Sequence, residues 1–289
     1  MQGYITIATG PRKFIDMAVN FAASCKVMDP TRPVCLVHDQ DADLPEEARR
    51  LFDDLVALPP DPAYPTVMNK IRLFDLSPYD ETMFVDADCL MVKRDVGKYW
   101  DIASRNYFSI TGDKRTTGQW KGHRIEDVLQ KQKVDYLVQM NSGVFYFNKS
   151  AEAREFFAEL NRFYLDRKES MRVNTHNGRR KFSDEFFFGV FMGLRHMSPI
   201  TRAEDSDDSW MVSTYHAPLH RVDTDKNIAV LYKLTRHLFD IPYFPTRLKR
   251  LSPTFMHFIE LRPQALYERL CKQFLATALA QSSRLQPAE

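Results

Sequence analysis

Two carboxylates one residue apart carry the clearest chemistry in this sequence. An apolar run, Met83-Phe84-Val85, leads straight into Asp86-Ala87-Asp88, and a second apolar run, Cys89-Leu90-Met91-Val92, follows. On an extended chain, residues i and i+2 point to the same side, so both carboxylates can address one ligand. Two hard oxygen ligands with room for phosphate oxygens suit Mg²⁺ or Mn²⁺. A divalent ion bridging a diphosphate would stabilise the charge that develops as the diphosphate departs. The competing reading is a polar turn between two strands, with Asp86 capping a helix. The flanking apolar runs make such a surface turn less natural. His216 and His220 have the i, i+4 spacing of two ligands on one helical turn, but Pro218 between them disfavours a helix.

Such a pair needs a strand end to stand on, and the first half of the chain supplies one. Tyr4–Ala8 reads as a strand, and Pro11 opens a helix whose apolar face is Phe14, Met17, Ala18, Phe21 and Ala22. Pro33–His38 reads as a buried parallel strand, Pro45–Phe52 as a helix and Leu55–Ala57 as a strand. Val67–Leu76 reads as a helix and Glu81–Asp86 as a strand. This strand–helix alternation predicts an α/β fold with a mostly parallel sheet flanked by helices. In open sheets of this kind, ligands sit beyond the carboxyl ends of the strands, where Asp86 and Asp88 fall.

The pattern then loosens. Asp95–Ala103 reads as a helix, and Tyr107–Ile110 and Val144–Phe147 as strands. Residues 112–136 are polar, with a short helix at Ile125–Gln132, and Trp120 there is the best candidate for the acceptor side. Ala151–Leu165 is a helix with Phe156, Phe157, Leu160, Phe163 and Tyr164 on one side. Residues 167–181 form a basic connector, six Lys/Arg against Glu169, read as a solvated loop or as a flap or anion seat before Asp184. Ser183–Leu194 is a helix with Ser183 as its N-cap, and 201–209 is an acidic loop. Pro263–Ala280 is an amphipathic helix striped by Leu266, Leu270, Phe274 and Ala278. That stripe packs on its own domain or makes a peripheral membrane or homo-oligomer contact.

Composition narrows the classes. The chain has 289 residues, 44% hydrophobic and 27% charged, as in an ordinary globular protein. Its net charge of +2 argues against a nucleic-acid partner. Cys25, Cys35, Cys89 and Cys271 stand far apart with no C-x-x-C pair, so reduced thiols and a cytoplasmic location are expected. No run of about 18 apolar residues exists, and the N-terminus lacks a basic-then-apolar leader.

The segment Asn69-Lys70-Ile-Arg-Leu-Phe-Asp-Leu-Ser-Pro-Tyr-Asp-Glu-Thr-Met-Phe-Val-Asp86-Ala-Asp88 resembles the glycogenin-like, family 8 type of GT-A glycosyltransferase. In order, Tyr4-Ile-Thr-Ile-Ala8-Thr9, Met140-Asn141-Ser142-Gly143-Val144, Ser183-Asp184-Glu185 and, more weakly, Met256-His257-Phe258 resemble further elements of that family. The resemblance implies a GT-A domain over 1–262 with a C-terminal helical extension over 263–289. It implies transfer of a hexose, with retention, from a UDP-hexose to an unknown glycan, lipid-linked or protein acceptor. Asp86, Asp88 and His257 would hold Mn²⁺ (or Mg²⁺), with Ala87 beside the donor. Ala8 and Thr9 would meet the base, and Lys70 would lie near the donor phosphate or sugar. Asn141 and Ser142 would bond sugar hydroxyls, Gly143 would admit close backbone approach, and Asp184 would sit beside the reacting sugar.

The sequence also departs from that family. The family's metal histidine is followed by a glycine and a Lys-Pro-Trp run; here it is followed by Phe258-Ile-Glu-Leu-Arg262-Pro263. Arg262 would replace the lysine and grip phosphate in a bidentate manner. The missing glycine and tryptophan support an alternative, a catalytically silent nucleotide-sugar-binding protein on the same fold. A sugar-nucleotidyltransferase would need a Gly-rich loop after the first strand, where Thr9-Gly-Pro-Arg-Lys13 has one glycine.

Overall fold

A computed structural model describes residues 1–39, 44–174, 180–200, 208–217, 219–235 and 247–284. The chain forms two compact units interleaved in sequence. One holds Gly3–Ala57, Val85–Ile102 and the described part of Ala203–Glu289; the other holds Met1–Gln2, Leu58–Phe84 and Ala103–Arg202.

The first unit is built on parallel strands β1 (Gln2–Ala8), β2 (Val34–His38) and β3 (Asp54–Ala57), in the order β3-β2-β1. β1 and β2 are almost wholly buried, as continuous apolar runs in a parallel sheet should be. Pro11 precedes α1 (Arg12–Met28), which buries Ile15, Met17, Ala18, Val19, Phe21 and Ala22, while Phe14 is half-buried. The helix expected over Pro45–Phe52 is only the single turn α2 (Glu46–Arg49), which buries nothing. A second sheet contains β12 (Asp208–Ser213), β13 (Leu219–Asp223), β14 (Ile228–Thr235) and β15 (Arg247–His257), in the order β12-β15-β14-β13. β5 (Cys89–Met91) pairs antiparallel with the end of β15. α4 (Gly97–Ala103) carries Trp100, whose indole donates to the Tyr4 hydroxyl at 3.2 Å. α8 (Gln264–Arg284) packs on α1 and buries the whole Leu266, Leu270, Phe274, Ala278 stripe. The plain reading of that stripe, packing on its own domain, is what the structure has.

In the second unit, β4 (Glu81–Val85), β9 (Leu137–Asn148) and β6 (Phe108–Arg115) lie in the order β4-β9-β6, with β6 and β9 antiparallel. Both β6 and β9 run well beyond the strands expected at Tyr107–Ile110 and Val144–Phe147. A register shift between Ile110 and Gly112 accommodates the extension. Val67–Leu76 is a 3₁₀ segment, Thr66–Arg72, followed by one turn of α-helix, α3 (Leu73–Leu76). The polar stretch holds a small hairpin, β7 (Gln119–Trp120) with β8 (His123–Arg124), and α5 (Ile125–Gln132) as expected. α6 (Ala151–Arg167) is capped by Ser150, whose hydroxyl accepts from the Ala153 N–H. The basic connector contains the antiparallel pair β10 (Val173–Asn174) and β11 (Arg180–Lys181); residues 175–179 lie outside the described residues.

α7 (Asp184–Leu194) is apolar along nearly its whole circumference and is buried all round. Its phenylalanines join an aromatic core: Phe108 stacks on Phe156 and Phe188 at 4.6 and 5.6 Å. Gly189 and Gly193 let α7 lie directly on β9. A Cβ at Gly189 would collide with the Val138 carbonyl and Trp120, and one at Gly193 with the Tyr136 carbonyl. Trp120 is therefore a buried packing residue, 7% exposed and edge-on to Phe186, rather than the acceptor platform expected.

Candidate active site

In the first unit, two of the candidate metal ligands, Asp88 and His257, meet where β5 begins its pairing with the end of β15. β4 ends at Val85, so Asp86 and Asp88 lie on the turn after the strand, not within it. The turn is closed by the Cys89 N–H donating to the Asp86 carbonyl at 2.9 Å. The Phe258 N–H then donates to the Asp88 carbonyl at 2.9 Å, which carries the turn to the end of β15. That contact brings Asp88 Oδ1 within 3.1 Å of His257 Nε2. The His257 side chain is 8% exposed and that of Asp88 26%, so the pair is reached from the Asp88 side. The Cys89 sulfur belongs to the same cluster: the ligand atoms of Asp88, Cys89 and His257 all lie within 4.8 Å of one another.

Neighbouring residues hold this strand end firmly. The Thr214 hydroxyl donates to the His257 carbonyl at 3.0 Å and also contacts the Arg262 carbonyl. Tyr267 of α8 packs edge-on against Phe258, centroids 5.1 Å apart. Lys93 and Lys98 each reach Asp95 at 2.8 Å, and Asp95 accepts from the Thr254 hydroxyl on β15. The Ser24 hydroxyl of α1 accepts from the Met91 N–H at 3.0 Å. A carboxylate and an imidazole this close, with one open side, fit a divalent ion such as Mn²⁺. Arg262 is exposed, 3.3 Å from the equally exposed Glu260. Ala8 is buried at the end of β1, Thr9 is half-exposed, and the Gly10 N–H donates to the Asp39 carboxylate beyond β2.

In the second unit, three predicted residues form one buried polar cluster. Lys70 Nζ lies 3.0 Å from Asp184 Oδ2 and 3.2 Å from Ser142 Oγ. The Ser142 hydroxyl donates to Asp184 Oδ2 at 2.6 Å. Lys70 and Asp184 are 6% and 8% exposed, so the charges are paired away from water. Burial pushes the Asp184 carboxyl up, but the Lys70 charge, the Ser142 hydroxyl and the Glu185 N–H together hold it below the usual carboxylate range. Its place as first residue of α7 adds the helix dipole in the same direction. Asn141 bends onto its own strand, its side-chain oxygen accepting from the Gly143 N–H at 2.9 Å. Glu185 pairs with Lys121. Ser183 occupies the N-cap position, but no cap bond forms from its side chain.

The sequence had named Lys70, Ser142 and Asp184 separately; their mutual bonding is the structure's addition. In the sequence, Cys89 is simply one residue of an apolar run. His216 ends a 3₁₀ turn and His220 lies on β13, so the two do not share a helix; Pro218 and 201–207 of the acidic loop lie outside the described residues.

The chain's mixed α/β architecture is that of GT-A glycosyltransferase structures. It is similar to the crystal structure of the glycosyltransferase GlyE of Streptococcus pneumoniae TIGR4, with a TM-score of 0.55 and 13% identity over 97% of this chain and 63% of that one. Weaker likenesses include the galactosyltransferase LgtC in complex with donor and acceptor sugar analogs, TM-score 0.47, 16% identity, 73% of this chain and 76% of that one. Mouse xyloside xylosyltransferase 1 gives TM-score 0.44, 11% identity, 74% and 88%. No protein-family model matches the chain, and no curated protein matches it in sequence. Among the described residues, no helix is long and apolar enough to cross a membrane.

Proposed function

We propose that this chain is a glycosyltransferase that moves a hexose from a nucleotide diphosphate sugar, with uridine as the base, to an acceptor hydroxyl with retention at the anomeric carbon. The observation that carries the reading is the Asp88–His257 approach of 3.1 Å on a GT-A fold, at the motif positions the sequence singles out. Asp86, Asp88 and His257 would hold Mn²⁺ or Mg²⁺. When bound, such an ion supplies positive charge that stabilises the departing diphosphate.

The protein's own groups bind and orient. Ala8 and Thr9 would meet the base at the end of β1, Ala87 would lie beside the donor, and Arg262, whose guanidinium is exposed, would grip phosphate. Asn141 and Ser142 address sugar hydroxyls. Lys70 and Ser142 hold Asp184 ionised and fixed. A carboxylate preorganised in this way suits stabilisation of positive charge at the anomeric carbon without covalent work.

A thermal-shift screen of nucleotide sugars with and without Mn²⁺ tests the binding half. A ligand that binds only the folded state raises the melting temperature. A UDP-hexose that stabilises the chain only with Mn²⁺ supports the reading, and no shift with any nucleotide sugar contradicts it. The missing glycine and tryptophan after His257 favour one second reading, a nucleotide-sugar-binding protein without turnover. Mn²⁺-dependent binding with no UDP release under any acceptor would select it.

A further inference from the structure

Cys89 is placed with the metal ligands by strand pairing, not by chance proximity. β5 and β15 run antiparallel with Cys89 opposite His257. The Phe258 N–H bonds the Asp88 carbonyl and the Val92 N–H the Thr254 carbonyl, so the alternation of an antiparallel ladder puts Cys89 opposite His257 at a non-hydrogen-bonded position, between widely spaced bonds. In such pairs the Cα atoms approach to about 4.5 Å and the side chains share one face. Asp88, on the turn just before β5, completes a set of one oxygen, one nitrogen and one sulfur within 4.8 Å. Cys89 is fully buried and His257 nearly so, while Asp88 faces the open side.

This set differs in kind from the carboxylate pair the sequence emphasises. Two aspartates and a histidine favour Mn²⁺ or Mg²⁺, whereas a thiolate selects thiophilic ions. The chain's other three cysteines are also buried. Burial pushes the thiols of Cys35 and Cys271 up to about 12, as expected for inert packing residues.

We propose that Cys89 is a third ligand of the Asp88–His257 site, so that the chain binds a thiophilic divalent ion such as Zn²⁺, Co²⁺ or Cd²⁺ there through mixed oxygen, nitrogen and sulfur donors. On binding, a metal–sulfur bond forms, the thiol proton leaves to solvent, and no electron is transferred. The inference rests on the reading of Asp88 and His257 as metal ligands and is independent of the donor sugar and the base.

The test titrates Co²⁺ and Cd²⁺ into the full chain and follows thiolate-to-metal charge transfer in the near ultraviolet. The wild type should develop a band that saturates at one equivalent, and Cys89→Ser should lose it while Cys271→Ser keeps it. Cd²⁺ affinity should fall in Cys89→Ser by at least the roughly 10- to 100-fold that loss of an outer-shell partner costs a metal site. Cadmium NMR of the wild type gives an answer that does not depend on any variant folding: a shift typical of sulfur ligation supports the proposal. A shift typical of oxygen and nitrogen ligands only, or a charge-transfer band retained in Cys89→Ser, overturns it. UDP-hexose turnover in a chain lacking the band would leave the glycosyltransferase reading standing without the thiolate. The band without any turnover would do the reverse.

Discussion

Replacing Lys70 by methionine tests the buried cluster most sharply. Methionine keeps most of the side-chain length and can stay beside the Phe84 ring, which Lys70 Nζ overlies at 5.0 Å. What it removes is the positive charge 3.0 Å from Asp184 Oδ2. Breaking a buried ion pair from one side costs about 3–5 kcal/mol, because the partner charge is left without compensation. At about 2–4 °C per kcal/mol for a chain of this size, the melting temperature should fall by roughly 6–20 °C near neutral pH. The loss should shrink in acid. In the wild type, Asp184 titrates below its unfolded value, so its contribution is present above that value and disappears as pH falls through the folded one. In Lys70→Met, burial without the cation raises the carboxyl above its unfolded value, so the penalty also fades as pH falls. Lys70→Met/Asp184→Leu, which removes both charges, should recover most of the stability. Melting curves at about pH 7.5 and about pH 3, either side of the usual carboxylate range, supply the data. A Lys70→Met melting temperature within about 2 °C of the wild type, or a loss that stays the same in acid, would refute the reasoning.

Four further outcomes follow from the same geometry. Gly193→Ala forces a Cβ into the Tyr136 carbonyl and should cost about 1–3 kcal/mol by denaturant unfolding. Gly97→Ala, with nothing within 4 Å, should be neutral or stabilise by up to about 1 kcal/mol. Ser142→Ala removes a donor that holds the Asp184 carboxyl down, so the acid-unfolding midpoint followed by circular dichroism should move to higher pH. Arg262→Ala should leave the melting temperature unchanged, since its guanidinium is exposed, and raise the donor KM by about tenfold if it grips phosphate.

How much could be read in the sequence depended on where apolar patterning carried the information. The strand into Asp86 was legible because Thr82–Val85 is buried without interruption, and α7 because its run of phenylalanines is buried all round. β9 was only half legible. Its first half alternates Leu137, Val138 and Met140 with half-buried Gln139 and Asn141, and the buried polar Ser142 looks like a turn. Ser142 finds its partners 72 and 42 residues away, at a separation no local pattern reports. The second sheet was illegible for a related reason. β13 buries none of its five residues fully, so it has no hydrophobic face to announce it. His257 could be picked out by resemblance, but its strand neighbour Cys89 could not, because the pairing of β5 with β15 joins distant parts of the chain. Trp120 was misjudged because its polar surroundings in sequence conceal the helix packed upon it.

The measurement that bears most directly on the proposed activity is Mn²⁺-dependent release of UDP from UDP-hexoses by the wild type and by Asp88→Asn. The amide keeps the shape of Asp88 while removing the charge that would hold a cation beside His257. Turnover that requires the ion in the wild type and disappears in Asp88→Asn, with the melting temperature of the ion-free chain unchanged, is the predicted result. Turnover of equal rate in the two chains with Mn²⁺ present would contradict it.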